Sequence, residues 1–281
     1  MTTKIHYLLA TWLSLSLLVV SCNKDDGNDA DDLPTNVETQ PAVLTPVTQN
    51  ISSTIGGYYE ALPASYNENQ NKYPVLIFLP GAGQFGNGSK DELPRVLNEG
   101  IGLLLKQQKL PPDFTVNGQH FSFVVLIPQF KSGPVLSDLR AFVDYAYSKY
   151  RVNRSYFYLT GFSLGGRQAA EFAANYPTEP AAIVTMAGAF NYNLPAAVKG
   201  IADKNLPVWS FHNEQDQMIL SQETKAFIAA INGYKPAIPA KQTIFPTSDA
   251  VMQHDCWTKV SDPAYKEGGV NIYEWMLSHK R

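Results

Sequence analysis

Between a short apolar run, Tyr156 to Thr160, and a helical pattern over Leu164 to Tyr176, the chain reads Gly161-Phe162-Ser163-Leu164-Gly165. A β-prone run that passes into a helix through one serine has to turn sharply at that residue. The serine then sits at the apex with its hydroxyl above the sheet. Glycines on either side leave space for neighbouring backbone that a Cβ would fill. The five-residue spacing alone is common; the strand before it and the helix after it give it structural meaning.

The same alternation runs through the chain. Tyr58 to Leu62 reads as an early strand. Pro74 to Pro80, Phe123 to Pro128, Tyr156 to Thr160, Ala181 to Ala187, Pro207 to His212 and Lys241 to Phe245 are short, β-rich apolar runs of the kind buried on both faces. Helical patterns fall between them: Leu93 to Gln107, with Pro94 in its first turn, then Leu136 to Tyr150, Leu164 to Tyr176, Ser221 to Asn232 and Val270 to Lys280. Strands alternating with helices predict an α/β fold, a mostly parallel central sheet covered by helices on both faces. The connections are short, so no large lid is expected. A chain that is 44% hydrophobic and 17% charged can core one large domain, and a net charge of −3 offers no basic surface for nucleic acid.

The N-terminus reads as a targeting segment. Lys4 precedes an apolar stretch, Tyr7 to Val20, that is short for a membrane span. It ends in Leu18-Val19-Val20-Ser21-Cys22, which resembles the lipobox of bacterial lipoproteins. That resemblance implies a signal peptide over 1–21, lipidation of Cys22 and a membrane tether; an ordinary secretory signal is the alternative. Residues 22–48 read as the lipidated cysteine and a flexible acidic linker, because Asn23 to Asp32 holds almost nothing a core could use. Acidic residues directly behind Cys22 resemble export tags that carry lipoproteins to the outer face of the outer membrane. The expected location is therefore the bacterial cell envelope, lipid-anchored in the outer membrane and surface-exposed. The folded domain is expected over 49–281. With Cys22 committed to lipid, Cys256 has no disulfide partner in the chain.

A serine hydroxyl needs a base to take its proton and a third group to orient that base. Of five histidines, His6 lies in the leader, His120 precedes a strand upstream of Ser163, His212 ends a strand and His279 ends the last helix. His254 lies in a loop after the last strand, the position that completes a Ser, acid, His order. The acid is expected just past the strand Pro207 to His212, which selects Asp216, with Glu214 and Asp249 as alternatives. The glycine-rich run Leu79 to Gly88 follows a buried strand, and the N–H of Ala82 with that of Leu164 would form an oxyanion hole. The run lacks the Gly-Lys-Ser/Thr end of a phosphate loop and a full dinucleotide fingerprint. Gln84 and Trp257 are candidate substrate contacts, although an aromatic beside a catalytic histidine more often supports the loop. No cluster has metal-ligand spacing, so neither a metal nor a cofactor is expected.

From about Gly57 onward the chain resembles the α/β-hydrolases of the esterase group. It is similar to secreted carboxylesterases such as feruloyl and acetyl-xylan esterases, polyhydroxybutyrate depolymerases and predicted peptidases. Tyr73 to Gly83, Ile127-Pro128-Gln129, Gly161 to Gly166, Pro207 to His212 with Asp216, His254 to Trp257 and Ile272 to Leu277 carry the resemblance. Pro80-Gly81 stands where the family usually has His-Gly, Gln84-Phe85 where a Glu-Arg pair is common, and Asn213 where glycine is common. The resemblance implies the α/β-hydrolase fold and ester hydrolysis through an acyl-enzyme. The reading is an exported, lipid-anchored serine carboxylesterase acting on acyl or phenolic esters of polysaccharides, acetyl or feruloyl. Alternatives are a peptidase- or phospholipase-like hydrolase with the same triad, an acyltransferase, and a noncatalytic carbohydrate-binding lipoprotein.

Overall fold

The computed structural model describes residues 37–190, 195–246 and 253–281, besides the isolated positions Thr2 and Leu33. The leader and Cys22 lie outside the described residues, as does Asp249. Among the described residues ten strands follow in chain order: β1 (Val43–Thr48), β2 (Ile55–Leu62), β3 (Tyr73–Leu79), β4 (Phe114–Val116), β5 (Gln119–Phe121), β6 (Val124–Phe130), β7 (Val152–Phe162), β8 (Ala182–Met186), β9 (Val208–Asn213) and β10 (Lys241–Phe245). Eight of them form one sheet in the order β1-β2-β6-β3-β7-β8-β9-β10, while β4 and β5 make a separate antiparallel hairpin. β1, β2 and β6 pair antiparallel, and every pair from β6 to β10 is parallel.

Among the described residues the helices are α1 (Gly100–Lys106), α2 (Leu136–Lys149), α3 (Leu164–Asn175), α4 (Pro195–Asp203), α5 (Ser221–Gly233), α6 (Trp257–Ser261) and α7 (Ile272–Leu277). They cover both faces of the sheet. Val75 and Ile77 of β3 and Leu159 of β7 pack with Phe142 of α2, Phe172 of α3 and Ile228 of α5. Leu76 and Phe78 of β3 and Tyr158 of β7 point the other way, toward Ile101 of α1, Val260 of α6 and Tyr273 of α7. This two-sided burial is why β3 reads as continuous apolar sequence: all seven of its residues are buried. The fold is that of the α/β-hydrolases.

Four features differ from the sequence reading. The expected linker over 22–48 ends too late, because Val43–Thr48 pairs with β2 from Val43 opposite Leu62 to Thr48 opposite Gly57. Glu38 is buried as well and accepts a hydrogen bond from the Ser65 amide at 3.2 Å. β1 is an edge strand, largely exposed along its length and interrupted by Pro46, so its composition resembles that of a linker. The helix expected over Leu93 to Gln107 is two pieces, a 3-10 turn at Leu93–Leu97 and α1. They part where Glu99 is extended and Gly100 adopts φ +55°, a conformation that favours glycine. α4 and the β4–β5 hairpin were not foreseen. The last helix is shorter than Val270 to Lys280, starting after the Asn271 cap, which accepts from the Tyr273 and Glu274 amides.

Candidate active site

β7 delivers Ser163 and α3 begins at the next residue. Ser163 holds φ +52° and ψ −119°, a strained backbone for a side chain with a Cβ, and its amide donates to the Met186 carbonyl of β8 at 2.8 Å. The glycines around it are sterically required. A Cβ on Gly165 would lie 1.9 Å from the Leu79 carbonyl oxygen, and one on Gly161 would lie 2.6 Å from the same atom. The serine therefore stands at the C-terminal edge of the parallel sheet, with the end of β3 close behind it.

Ser163, His254 and Asp216 are brought together from β7, the loop before α6 and the loop after β9. The Ser163 hydroxyl lies 3.1 Å from His254 Nε2, and His254 Nδ1 lies 2.7 Å from Asp216 Oδ2. With Nδ1–H donating to the carboxylate, Nε2 is left to accept the serine proton. Asp216 and His254 are buried. Burial pushes the Asp216 carboxyl up, but hydrogen bonds from His212 and His254 and from the Ile219 and Met218 amides outweigh it and hold the carboxyl well below the usual range. Glu214 faces Lys225 at 2.7 Å instead, at the surface.

His212 joins this acid from the other side. It is fully buried at the end of β9, and its Nε2 lies 3.1 Å from Asp216 Oδ2 and 2.9 Å from the Ile219 carbonyl. Both partners are acceptors, so Nε2 carries a proton, and in the neutral ring Nδ1 accepts from the Thr224 hydroxyl at 2.8 Å. The sequence reading left His212 as a strand-end residue; its spacing four positions before Asp216 is the signal that could have linked the two. Asn213, where glycine is common in the resembling family, donates to the Gln253 carbonyl at 2.8 Å and fixes the residue before His254. His120 pairs with Asp113 on the β4–β5 hairpin at 2.9 Å, and His279 packs edge-on to Trp275.

The loop after β3 supplies the opposite wall. Ala82 opens a 3-10 turn, Ala82–Gln84, and Leu164 opens α3. Amides at helix starts lack partners within the helix, which makes both candidate donors to an oxygen at Ser163. Gln129, fully buried at the end of β6, anchors this loop. It donates to the Gln84 carbonyl at 3.1 Å and the Glu92 carbonyl at 2.7 Å, and accepts from the Gly88 amide at 3.0 Å. Ala82, Gln84 and Trp257 all line the pocket that contains Ser163 and His254. Trp257 stacks on Phe162 at 4.4 Å and meets the His254 ring edge-on at 5.1 Å, so it braces the histidine as well as lining the pocket. Glu99, Met218 and Asp255 also line it and were not singled out from the sequence. Burial pushes the Cys256 thiol well up, which makes it an inert core residue.

The sequence pattern of the Dienelactone hydrolase family matches residues 113–248, a span that includes Ser163 and Asp216 and stops short of His254. No curated protein matches the chain by sequence. Among solved structures it is similar to a thermostable esterase, with a TM-score of 0.60 and 17% identity over 85% of this chain and 63% of that one. The chain thus spans less than two thirds of that esterase. It is also similar to a ferulic acid esterase, with a TM-score of 0.52 and 17% identity over 77% of this chain and 92% of that one. A fluorophosphonate-binding serine hydrolase of Staphylococcus aureus gives a TM-score of 0.57 and 16% identity over 84% of this chain and 99% of that one. At such identities the structural likeness speaks for the fold. The chain therefore has the α/β-hydrolase fold and carries a partial match to the Dienelactone hydrolase family.

Proposed function

We propose that the protein is an exported, lipid-anchored serine carboxylesterase that removes acyl or phenolic groups, acetyl or feruloyl, from polysaccharides. The observation that carries the catalytic part is the relay from Ser163 through His254 to Asp216, at 3.1 and 2.7 Å, on a serine held at φ +52°. In this reading the Ser163 oxygen attacks the ester carbonyl while its proton passes to His254 Nε2. Asp216 accepts the Nδ1–H bond and stabilises the imidazolium. The amides of Leu164 and Ala82 hold the oxyanion. Collapse of the tetrahedral intermediate expels the alcohol, which takes the proton from Nε2, and leaves the acyl group on Ser163. Water then attacks the acyl-enzyme with His254 as base, releasing the acid and restoring the serine.

The lipobox-like run ending at Cys22 and the acidic residues behind it support the anchored, envelope location. The polysaccharide assignment rests on the resemblance to feruloyl and acetyl-xylan esterases. Release of acetate or ferulate from acetylated or feruloylated xylan, compared between the wild type and Ser163→Ala, tests it. Product from the wild type alone supports the reading. Activity on small esters with none on either polymer removes the polysaccharide part.

A further inference from the structure

The pocket at Ser163, about 480 Å³, is lined by both apolar and polar side chains. Phe162, Trp257 and the exposed Met218 are apolar. Gln84, Glu99 and Asp255 bring polar groups, and no lysine or arginine lines the pocket among the described residues. Arg95, the nearest cation along this stretch of chain, is turned to Glu92 and the Phe85 carbonyl.

The carboxylates are held in place by the fold. Glu99 occupies the break before α1 and accepts from Gln84 Nε2 at 3.2 Å. Asp255 caps the start of α6 through the Thr258 amide at 2.8 Å and the Thr258 hydroxyl at 2.6 Å. Gln84 is itself 8% exposed, and its Oε1 meets no donor among the described residues. That oxygen lies 3.4 Å from where a Cβ on Gly81 would stand, beside the proposed oxyanion donor Ala82. A buried acceptor without a donor is a costly arrangement that a ligand hydroxyl relieves. The lining thus brings two carboxylates and the unpaired Gln84 Oε1 to the pocket, with no lysine or arginine among the described residues to balance them.

We infer that Glu99, Asp255 and Gln84 make this site select esters whose alcohol or acyl part presents hydrogen-bond donors or is neutral, and reject esters that carry a carboxylate next to the scissile bond. The inference rests on the ester-hydrolase reading of Ser163. An anionic substrate would enter a partly desolvated pocket against two like charges, whereas a vicinal diol or an uncharged aryl group finds both hydrogen-bond acceptors and the apolar surfaces of Phe162, Trp257 and Met218. The two acids already act on one another: burial pushes the Glu99 carboxyl up, and Asp255 adds to that.

The test compares 4-nitrophenyl butyrate with mono-4-nitrophenyl glutarate, whose acyl chains differ mainly by a terminal carboxylate, on the mature chain and on Glu99→Gln, Asp255→Asn and the double variant. We expect the wild type to favour the neutral ester by roughly tenfold or more in kcat/KM, since one such factor corresponds to a modest electrostatic penalty. The preference shrinks severalfold in the double variant and partly in each single one, and it weakens with added salt in the wild type. Equal use of both esters by an active wild type, or a preference unchanged in all three variants, overturns the inference and leaves the esterase intact. A folded wild type that cleaves neither ester contradicts the esterase reading itself, and this inference with it.

Discussion

Asp216 is the residue on which the site's electrostatics converge. It accepts from two imidazoles through one oxygen and from two backbone amides through the other, at 2.7 to 3.1 Å. Replacing it with asparagine leaves the shape but presents the wrong donor pattern to His254, so Asp216→Asn is expected to lower kcat by about 10⁴-fold. The same carboxyl affects stability. Its folded pKa is depressed, so its contribution is fully present above the unfolded value, about 3.9, and is lost as pH falls below that toward the folded value. Denaturant unfolding from pH 6 down to pH 3, each pH approximate, should therefore show a fall in wild-type stability that is smaller in Asp216→Asn. His212 acts on the reaction only through Asp216. His212→Leu is expected to reduce kcat by roughly tenfold with KM unchanged, because the carboxylate loses one of the bonds that aim it. A variant with normal kcat would show that the histidine only fills space.

At the scale of elements, the turn from β7 into α3 has the least freedom. Gly165→Ala would drive a methyl group into the Leu79 carbonyl at 1.9 Å, where the contact is backbone on both sides. We expect a loss of about 3 kcal/mol or more, seen as a large drop in the denaturation midpoint or as insoluble protein. This turn was legible in the sequence because its glycines, its serine and its flanking strand and helix are contiguous. The parallel strands were legible for the same reason: burial on both faces writes an uninterrupted apolar run, as in Pro74 to Leu79. What was hidden is set by contacts distant in sequence. Glu99 looked like one more position in an amphipathic helix until Gly100 broke that helix and turned the carboxylate into the pocket. Gln129 was part of a recognisable stretch, but its grip on the Gly88 amide, forty-one positions away, could not be read from spacing. β1 was missed because an edge strand needs only a pairing partner, and Val43–Thr48 carries almost no buried face to announce itself.

For the molecule as a whole, β1 has a measurable consequence. The chain between Cys22 and the sheet is shorter than its composition suggests, since the fold begins by Glu38 and the edge strand ends at Thr48. A protein beginning at Asn50 lacks β1 and exposes the backbone edge of β2, including Tyr58 and Tyr59. Compared with one beginning at Val37, it is expected to melt roughly 5 °C lower or to aggregate, as read by thermal unfolding and light scattering. Equal melting would mean that β1 is dispensable. The central claim, however, is that one sheet edge assembles an activated serine from β7, the β9 loop and the loop before α6. Labelling with a fluorophosphonate, followed by mass mapping of the modified peptide, tests it most directly. The account predicts stoichiometric modification at Ser163 in the wild type, none in Ser163→Ala and strongly slowed labelling in His254→Ala. A folded wild type that stays unlabelled, or a label on any other serine, would contradict it.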